Sequence, residues 1–440
     1  MIKTDPRAQN PWKIGLILLL AGIAIGCAQH KVPTILIPLM EKFDLDAFAA
    51  SWLMSILVLV GVFLALPLGK MIQRWGFKPW LLGGLILLVV GTLIGLAAGF
   101  LVSPALLFVS RGIEGIGLMV VSTCAPTAVA QCVRPDRQGL AMGLWSNWGA
   151  IGGAVGMATT PFIWSALGYS WVWSLFIIIA VVAIVLIFLF VDDPQPALLA
   201  AAAGAGMGPV GAADGAAGEA GAVGGAAATG AIGGAAATGA VGGNSTKPAS
   251  AGRYREVLTR DTVLVLYAFI CFSLGLLALL TYLPSILQLQ GIPREISALP
   301  ITLIQLLSMI CVPICGAIYD KTGRAKPLLM VTLFTFGAGI FLMFTSTGPL
   351  LWGAAALEGI VGFSCIGMFL TAYSEALPRR ELMAMGMGVF ILVQSLGQFL
   401  GSAVVQMLLG PDLTHWVFAG ACVFAIVTSG VIGLAFARFR

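Results

Sequence analysis

The sequence predicts an all-α polytopic membrane protein whose twelve transmembrane helices form two pseudo-symmetric bundles of six helices. Three observations support this prediction: the composition, the length of the apolar runs, and short motifs that recur in both halves. The chain has 440 residues, of which 59% are hydrophobic and only 9% are charged. Because soluble globular domains contain about 25% charged residues, the composition excludes that class of protein.

Twelve apolar runs are long enough to cross a bilayer, which takes about 20 predominantly apolar residues per helix. The runs are continuous rather than alternating, so they do not fit the strands of a membrane barrel. The first run is too long for the apolar part of a cleavable signal peptide. We expect spans at roughly 13–38, 51–72, 80–100, 104–130, 139–163, 171–191, 262–287, 298–319, 327–346, 350–376, 382–408 and 415–437.

The basic residues predict the orientation of the chain. With a cytoplasmic N-terminus, 19 of the 23 lysines and arginines fall on cytoplasmic segments, as the positive-inside rule requires. We therefore expect a multi-pass protein of the cell (inner) membrane with both termini in the cytoplasm. The net charge of +5 reflects this topology, and no basic patch with interleaved aromatic residues indicates nucleic-acid binding.

An Ala/Gly-rich segment separates the two sets of spans. Residues 197–243 are nearly all alanine and glycine and contain a nine-residue repeat, AVGGAAATG followed by AIGGAAATG. Bulky apolar residues are almost absent there, which indicates a flexible cytoplasmic linker rather than a thirteenth span. We divide the chain into an N-terminal bundle (1–191), a linker (192–260) and a C-terminal bundle (261–440).

Cofactor and metal chemistry are not expected. The chain has eight cysteines without a CxxC pair and only two histidines, which indicates buried thiols rather than a metal centre. It also lacks the GxxxxGK[ST] phosphate loop of ATP-driven proteins. Any transport would run on an ion or solute gradient, we expect a monomer, and an enzymatic activity is not indicated.

Several motifs recur at matching places in the two halves. IEGI at 113–116 in the fourth span corresponds to LEGI at 357–360 in the tenth, and Pro33 corresponds to Pro284. The loop after span two reads GKMIQRWGFK from Gly69, and the loop after span eight reads GAIYDKTGRAK from Gly316. Duplicated six-helix halves are typical of transporters that rock around a site near the midplane.

These loops, with Arg111, Gly115 and Gly117 in the pattern R-x-x-x-G-x-G, resemble the major facilitator superfamily. The resemblance covers the chain apart from the linker and implies that spans one, four, seven and ten surround a central cavity. In the first-half loop Gln73 stands where the family has an acid. The loop residues that would take part in gating are Gly69, Arg74, Gly76, Lys78, Gly316, Asp320, Lys321, Gly323, Arg324 and Lys326.

Within that superfamily, the first half is most similar to the cyanate-permease and nitroimidazole-transporter-like group. The similarity rests on Lys31, Pro33 and Pro38 in span one and on CAPTA, with Pro126, after the span-four motif. A lysine in span one also resembles the monocarboxylate transporters. Both resemblances imply a small anionic substrate.

Five ionisable side chains lie inside predicted spans: His30, Lys31, Arg111, Glu114 and Glu358. At 1.5 Å per residue they fall in one layer, about 10–15 Å from the outer surface. A charge at that depth costs roughly 2.5–3.5 kcal/mol and usually marks a functional site. The alternatives are a structural Arg111–Glu114 pair, a snorkelling Lys31, a core histidine bonded to a carbonyl, and a packing role for Glu358.

From this layer we predict a substrate site of bases and polar groups and a proton pathway of acids. Burial disfavours the charge of Glu114 while Arg111 favours it, so Glu114 is the expected proton carrier and Glu358, its counterpart without an arginine, the lesser one. The expected substrate-binding residues are Lys31, His30, Arg111, Asn147, Tyr282 and Gln394.

Three functions stay open at this point. The first is proton-coupled import of a small anion, the second is export of drugs or metabolites, and the third is a non-transporting membrane sensor. The mixed charge of the layer disfavours a drug exporter with an acidic aromatic cavity. A sensor would normally carry a soluble output domain, and none is evident in the sequence.

The linker can be tested by replacement. Exchanging residues 197–243 for a short Gly/Ser segment should leave the melting temperature of the purified protein unchanged, because these residues have little apolar surface to bury. A variant that lacks the first span, residues 13–38, serves as the control that must fail to fold. Loss of folded protein in the linker variant would contradict the prediction.

Overall fold

The computed structural model describes residues 9–133, 138–192, 257–322, 324–378 and 383–438, and the regular elements of these ranges are helices. Eleven helical segments are long and apolar enough to cross a membrane, and a twelfth, Pro349–Ser364, is apolar but shorter. The all-α fold class with two sets of six spans is thereby confirmed. The predicted linker at 197–243 lies outside the described residues, so its role stays a prediction.

Within the described ranges, the first half contains eight helices that make up six spans, because the first and fifth spans are each interrupted. The helices are α1 (Pro11–Thr34), α2 (Leu36–Phe43), α3 (Ala47–Trp75), α4 (Phe77–Leu101), α5 (Pro104–Cys132), α6 (Gln138–Ser146), α7 (Trp148–Leu167) and α8 (Tyr169–Phe190).

The second half repeats this plan, with a short helix before its second span and an interrupted fourth span. The helices are α9 (Arg260–Leu289), α10 (Arg294–Ser297), α11 (Leu299–Thr322), α12 (Ala325–Thr345), α13 (Pro349–Ile360), α14 (Cys365–Ala376), α15 (Met383–Leu409) and α16 (Trp416–Ala435).

The tenth span, expected at 350–376, is present but interrupted. Helix α13 ends at Ile360, a single 3-10 turn spans Gly362–Ser364, and α14 begins at Cys365. Glycine weakens a helix interior by about 1 kcal/mol relative to alanine, and Gly359 and Gly362 flank the break. The first span is also divided, at Ile35, between Pro33 and Pro38, both of which lack an amide hydrogen.

Close helix packing in the first half depends on glycines of span five, as their spacing predicts. A Cβ atom added to Gly152 would lie 2.9 Å from the Cα atom of Gly26 on α1. A Cβ atom added to Gly156 would lie 3.2 Å from the Cα atom of Cys27. Helices α1 and α7 therefore meet backbone to backbone, which fixes the position of the polar residues that end span one.

The two halves contact each other near the end of the molecule at which α1 ends. Ser55 on α3 and Ser402 on α15 share a hydrogen bond of 2.5 Å, and the rings of Trp52 and Phe399 lie 5.7 Å apart. Ser165 donates to Glu295 at 2.6 Å. With the cytoplasmic termini that the basic residues predict, these contacts close the outer end of the space between the bundles.

A disulfide across this contact would test the arrangement. In Ser55→Cys/Ser402→Cys the thiols replace two hydroxyls that are in hydrogen-bond contact, so mild oxidation should join them. With a protease site placed in the linker, the halves should stay together on a denaturing gel after cleavage and separate on reduction. Ser55→Cys alone, with the eight native cysteines, is the control. Separation of the oxidised double variant would contradict the contact.

Candidate functional site

Three charged side chains meet inside the first bundle. One carboxylate oxygen of Glu114 on α5 lies 2.5 Å from the ammonium nitrogen of Lys31 on α1, and the other lies 2.5 Å from Nη1 of Arg111. Thr92 on α4 donates a hydrogen bond to Glu114 at 2.9 Å. All three charged side chains have zero exposure, so the ion pairs are shielded from solvent. We call Lys31, Arg111 and Glu114 the ion cluster.

Arg111 ties three spans together around this cluster. It shares a helix face with Glu114, three residues further on. Its Nε donates to the carbonyl of Leu53 on α3 at 3.1 Å, and its Nη1 donates to the carbonyl of Ala28 on α1 at 2.9 Å. Among the residues that the structure describes, Nη2 of Arg111 has no hydrogen-bond partner. One pair of buried donor hydrogens is therefore unused.

Lys31 points into the first bundle rather than into the space between the bundles. Its ammonium nitrogen lies 5.0 Å from the ring centroid of Trp173 and 5.9 Å from that of Phe176, both on α8. Aromatic faces attract a cation at these distances. The described contacts of Lys31 belong to the first half, so its role in substrate binding stays a prediction. Snorkelling is wrong, since the ammonium is bonded to Glu114.

The ion cluster has more positive than negative charge. Arginine stays protonated in proteins, and both bases share one carboxylate. With Lys31 protonated, two positive charges face one negative charge, and His30 adds a further basic nitrogen nearby. An excess charge in an apolar interior is unfavourable unless a counter-charge or solvent reaches it.

His30 points away from Lys31, as their successive positions on a helix predict. Its Nδ1 is 2.8 Å from the carbonyl of Gly26, and its Nε2 has no hydrogen-bond partner among the described residues. A Cβ atom added to Gly156 on α7 would lie 3.4 Å from the Cβ atom of His30. The histidine thus faces span five, with one ring nitrogen available.

Asn147 and Tyr282 make contacts that a structural role would explain. Asn147 donates to the carbonyl of Gly143 at 2.8 Å, where α6 gives way to α7. Tyr282 is fully buried on α9 and donates to the carbonyl of Ser402 on α15 at 2.5 Å. Gln394 lies half-buried on α15. The structure does not bring these three residues to the ion cluster, and their substrate contacts stay predictions.

Glu358 lies apart from the ion cluster, in the second bundle. Its side chain is fully buried near the end of α13, and neither carboxylate oxygen has a hydrogen-bond partner in the described ranges. Cβ atoms added to Gly339 on α12 or to Gly362 would each lie 2.3 Å from Oε2 of Glu358. The carboxyl group is therefore enclosed by two neighbouring segments of backbone.

The two motif loops make equivalent contacts within their own halves. Lys78 donates to the carbonyl of Phe188 at 3.4 Å near the end of span six. Lys326 donates to the carbonyls of Ala435 and Ala437 at 2.9 Å and 2.7 Å, at the end of span twelve. Lysines are favourable at the negative end of a helix dipole. In each half, then, the base that follows the loop anchors the last span.

The other loop residues contribute less to this picture. Gly76 has φ of 83°, which suits glycine at the junction of α3 and α4. Arg324 is exposed before α12. The side chains at positions 69, 74, 316, 320 and 321 lie outside the description, as does all of Gly323. The gating role of Gly69, Arg74, Gly316, Asp320, Lys321 and Gly323 stays a prediction.

Sequence reasoning missed three residues, of which two contact the ion cluster and one lies against a glycine of span five. Thr92 and Trp173 contact the ion cluster, and Gln305 on α11 lies against Gly153 of span five. A single threonine or tryptophan within a hydrophobic span has no distinguishing pattern, so only the packing of α4 and α8 against α1 and α5 reveals the first two. Among the described residues, no group of three metal-binding side chains occurs.

Known proteins share the sequence pattern of this chain. A sequence model of the Major Facilitator Superfamily matches residues 14–402. The MFS-type transporter ppz2 of Metarhizium majus is 29% identical over 177 residues, which cover 38% of this chain and 29% of that protein. The uncharacterized MFS-type transporter YybF of Bacillus subtilis is 28% identical over 144 residues, 33% of this chain and 35% of that protein. The matched part thus spans about a third of each relative.

A solved structure shows the same fold over nearly the whole chain. The human organic anion transporter MFSD10 (TETRAN) superposes with a TM-score of 0.60 at 14% sequence identity, covering 97% of this chain and 100% of that one. At this identity the likeness concerns the fold alone. Together with the helical architecture and the matched family model, it leads to one conclusion. The protein belongs to the Major Facilitator Superfamily, and its apolar helices are those of a multi-pass membrane protein.

Proposed function

We propose that this transporter carries a small anionic solute and that the solute is imported together with protons. The observation that supports the anionic substrate is the buried excess of positive charge in the ion cluster. An anion that reached Arg111 or Lys31 would supply the missing counter-charge. The proton gradient is a suitable energy source for such a substrate, because protons that accompany an anion inward neutralise its charge.

The geometry suggests how an anion would bind. Nη2 of Arg111 has two donor hydrogens without a described partner, and a guanidinium group can hold a carboxylate-like group in a bidentate manner. Glu114 occupies the other side of the guanidinium and the ammonium of Lys31. An incoming anion would therefore share or replace Glu114 as the partner of the two bases. Glu114 acts in this proposal as an internal anion that the substrate displaces.

Access to the cluster requires movement, because its charged groups have no exposure in this conformation. The contacts between Ser55 and Ser402 and between Ser165 and Glu295 close one end of the space between the halves. Rocking of the bundles would break these contacts and change the packing of α1 against α9. Alternating access of this kind is the general mechanism of transporters with duplicated halves.

The resemblance of span one to the cyanate-permease group also supports a small anion. It rests on Lys31, Pro33 and Pro38, and the structure shows that Pro33 lies in the last turn of α1, two residues after the lysine. One relative is named for an uncharged substrate. The human facilitated glucose transporter member 10 of solute carrier family 2 is 27% identical over 31% of this chain. The charge of the cluster favours the anion over an uncharged sugar.

Export of drugs or metabolites is the second candidate function. A different interpretation of the ion cluster is that it only stabilises the fold. Ion pairs that only hold α1, α4 and α5 together would give the same hydrogen bonds. The two cases differ in their response to ligands: a structural cluster would be indifferent to added anions. The following two experiments use that difference.

The first prediction concerns Lys31. In Lys31→Gln the affinity for anions should fall about 10- to 100-fold, because a hydrogen bond to a charged group is worth about 1.5–3 kcal/mol. Lys31→Arg should retain part of the affinity. The measurement is the shift in melting temperature of the purified protein with formate, acetate, lactate, nitrate or cyanate at constant ionic strength. Lys42→Gln, at the end of the same span, is the matched control.

Two results would decide against this prediction. If wild-type protein is stabilised by cationic drugs and by none of the five anions, the exporter is favoured. If an anion stabilises wild type and Lys31→Gln equally, the anion binds elsewhere and the cluster is structural.

The second prediction concerns Glu114. Because Glu114 competes with the anion for both bases, Glu114→Gln should bind anions at least as tightly as wild type, although the free variant should be less stable. Removing one partner of a buried ion pair typically costs about 3–5 kcal/mol. The added anion should therefore raise the melting temperature of Glu114→Gln more than that of wild type. Loss of anion binding in this variant would show that Glu114 assists binding rather than competing.

A further inference from the structure

The second bundle buries a carboxyl group that has no compensating charge. Glu358 has zero exposure, and both of its side-chain oxygens lack hydrogen-bond partners among the described residues. Bare carboxylates are extremely unfavourable in an apolar interior, and such groups usually become neutral instead. The proposed role of the ion cluster does not involve this residue, so its burial needs a separate explanation.

The equivalent residue of the first half provides an internal comparison. Glu114 and Glu358 occupy the same place in the IEGI and LEGI motifs. Glu114 accepts hydrogen bonds from Lys31, Arg111 and Thr92, all of which favour its ionised form. The position that corresponds to Arg111 is Ala355, and the residue that corresponds to Lys31 is Tyr282, which donates to Ser402 instead. The carboxyl group at this motif position is thus paired with bases in the first half, whereas in the second half it has no described hydrogen-bond partner.

Among the described residues, no positive charge pairs with Glu358, and no group of three metal-binding side chains occurs. Helix α12 places Gly339 against the carboxyl group, and its one charged residue, Lys326, is bonded to carbonyls at the far end of the helix. The thiols of Cys365 at the start of α14 and of Cys315 on α11 are buried and uncharged. The charged residues of α11, Asp320 and Lys321, come more than one turn after Cys315.

We propose that Glu358 is a proton-binding site of the transporter, that it is occupied in this conformation, and that it supplies the coupling proton of the proposed transport. The proton resides on the carboxyl group while Gly339 and Gly362 enclose it. It is released to water as a hydronium ion when the second bundle rearranges and exposes the group. The resulting carboxylate then takes up a proton from the other side of the membrane and becomes a neutral acid again.

The break in span ten gives this site a means of responding to conformation. Gly362 belongs to the 3-10 turn between α13 and α14, and that turn lies directly against Oε2 of Glu358. Any change in the bend alters how closely the turn encloses the carboxyl group. The first half has no such break at the corresponding place, because α5 continues through Glu114 to Cys132. The break and the uncompensated acid therefore occur together in one half.

This inference changes the ranking that the sequence suggested, in which Glu114 was the main proton carrier. Three donors hold Glu114 as an ion, whereas Glu358 has none among the described residues. The coupling role rests on the proposed function, because it assumes that the proton moves together with the proposed anion. Occupancy of the site does not depend on the substrate, and it can be tested without one.

The test is infrared spectroscopy of the purified protein without substrate at neutral pH. Wild type should show the carbonyl-stretch band of a protonated, weakly hydrogen-bonded carboxylic acid, and this band should shift in D2O. Glu358→Gln should lack the band, whereas Glu114→Gln, the matched control, should retain it. Glu358→Asp should keep a band at a changed position, so it tests the assignment even if Glu358→Gln fails to fold.

A second measurement connects the site to transport. In proteoliposomes with an anion identified by the melting-temperature screen, Glu358→Gln should exchange the anion at the wild-type rate but fail to accumulate it under a pH gradient. A wild-type spectrum without the acid band, or a band that persists unshifted in both Glu358 variants, would overturn the proposal. Failure of every anion to bind would contradict the proposed substrate and leave the infrared result standing.

Discussion

The structure depends above all on how two buried bases share one buried carboxylate. Lys31 comes from span one and Glu114 from span four, and Arg111 connects both to the backbone of span two. Because each of these groups would be very unfavourable alone in an apolar bundle, their helices must pack so that all three meet. Trp173 of α8 lies beside the ammonium of Lys31, and glycine contacts hold α1 against α7.

Much of the fold could be predicted from the sequence, because long apolar runs and repeated motifs act locally. The spans begin and end near the expected residues, and Arg111 and Glu114 pair as their spacing indicates. The break at Val361 was missed because Gly359 and Gly362 alone do not end a helix. The position of Glu358 against Gly339 on α12 is a tertiary feature, which the sequence pattern does not show. The sequence also did not predict that Lys31 points into the first bundle. The depth of a residue along its helix does not show which neighbouring helices its side chain faces.

The two halves share a plan but differ in how they treat the same acidic position. In the first half the acid is an ion held by two bases, and in the second it is enclosed by glycine backbone without a base. A symmetric pair of ion clusters would bind two anions and carry no proton. The asymmetry therefore suits a transporter that binds an anion in one half and a proton in the other.

Our proposal is that the excess positive charge around Arg111 binds the transported anion. Its most direct test is an experimental structure determined with a heavy anionic probe, such as iodide or a brominated short-chain carboxylate, using the anomalous signal of the halogen. We expect an anomalous peak within contact distance of Nη2 of Arg111, with Glu114 displaced from at least one of its two bases. A peak confined to the space between the bundles, with Lys31, Arg111 and Glu114 paired as they are here, would contradict it.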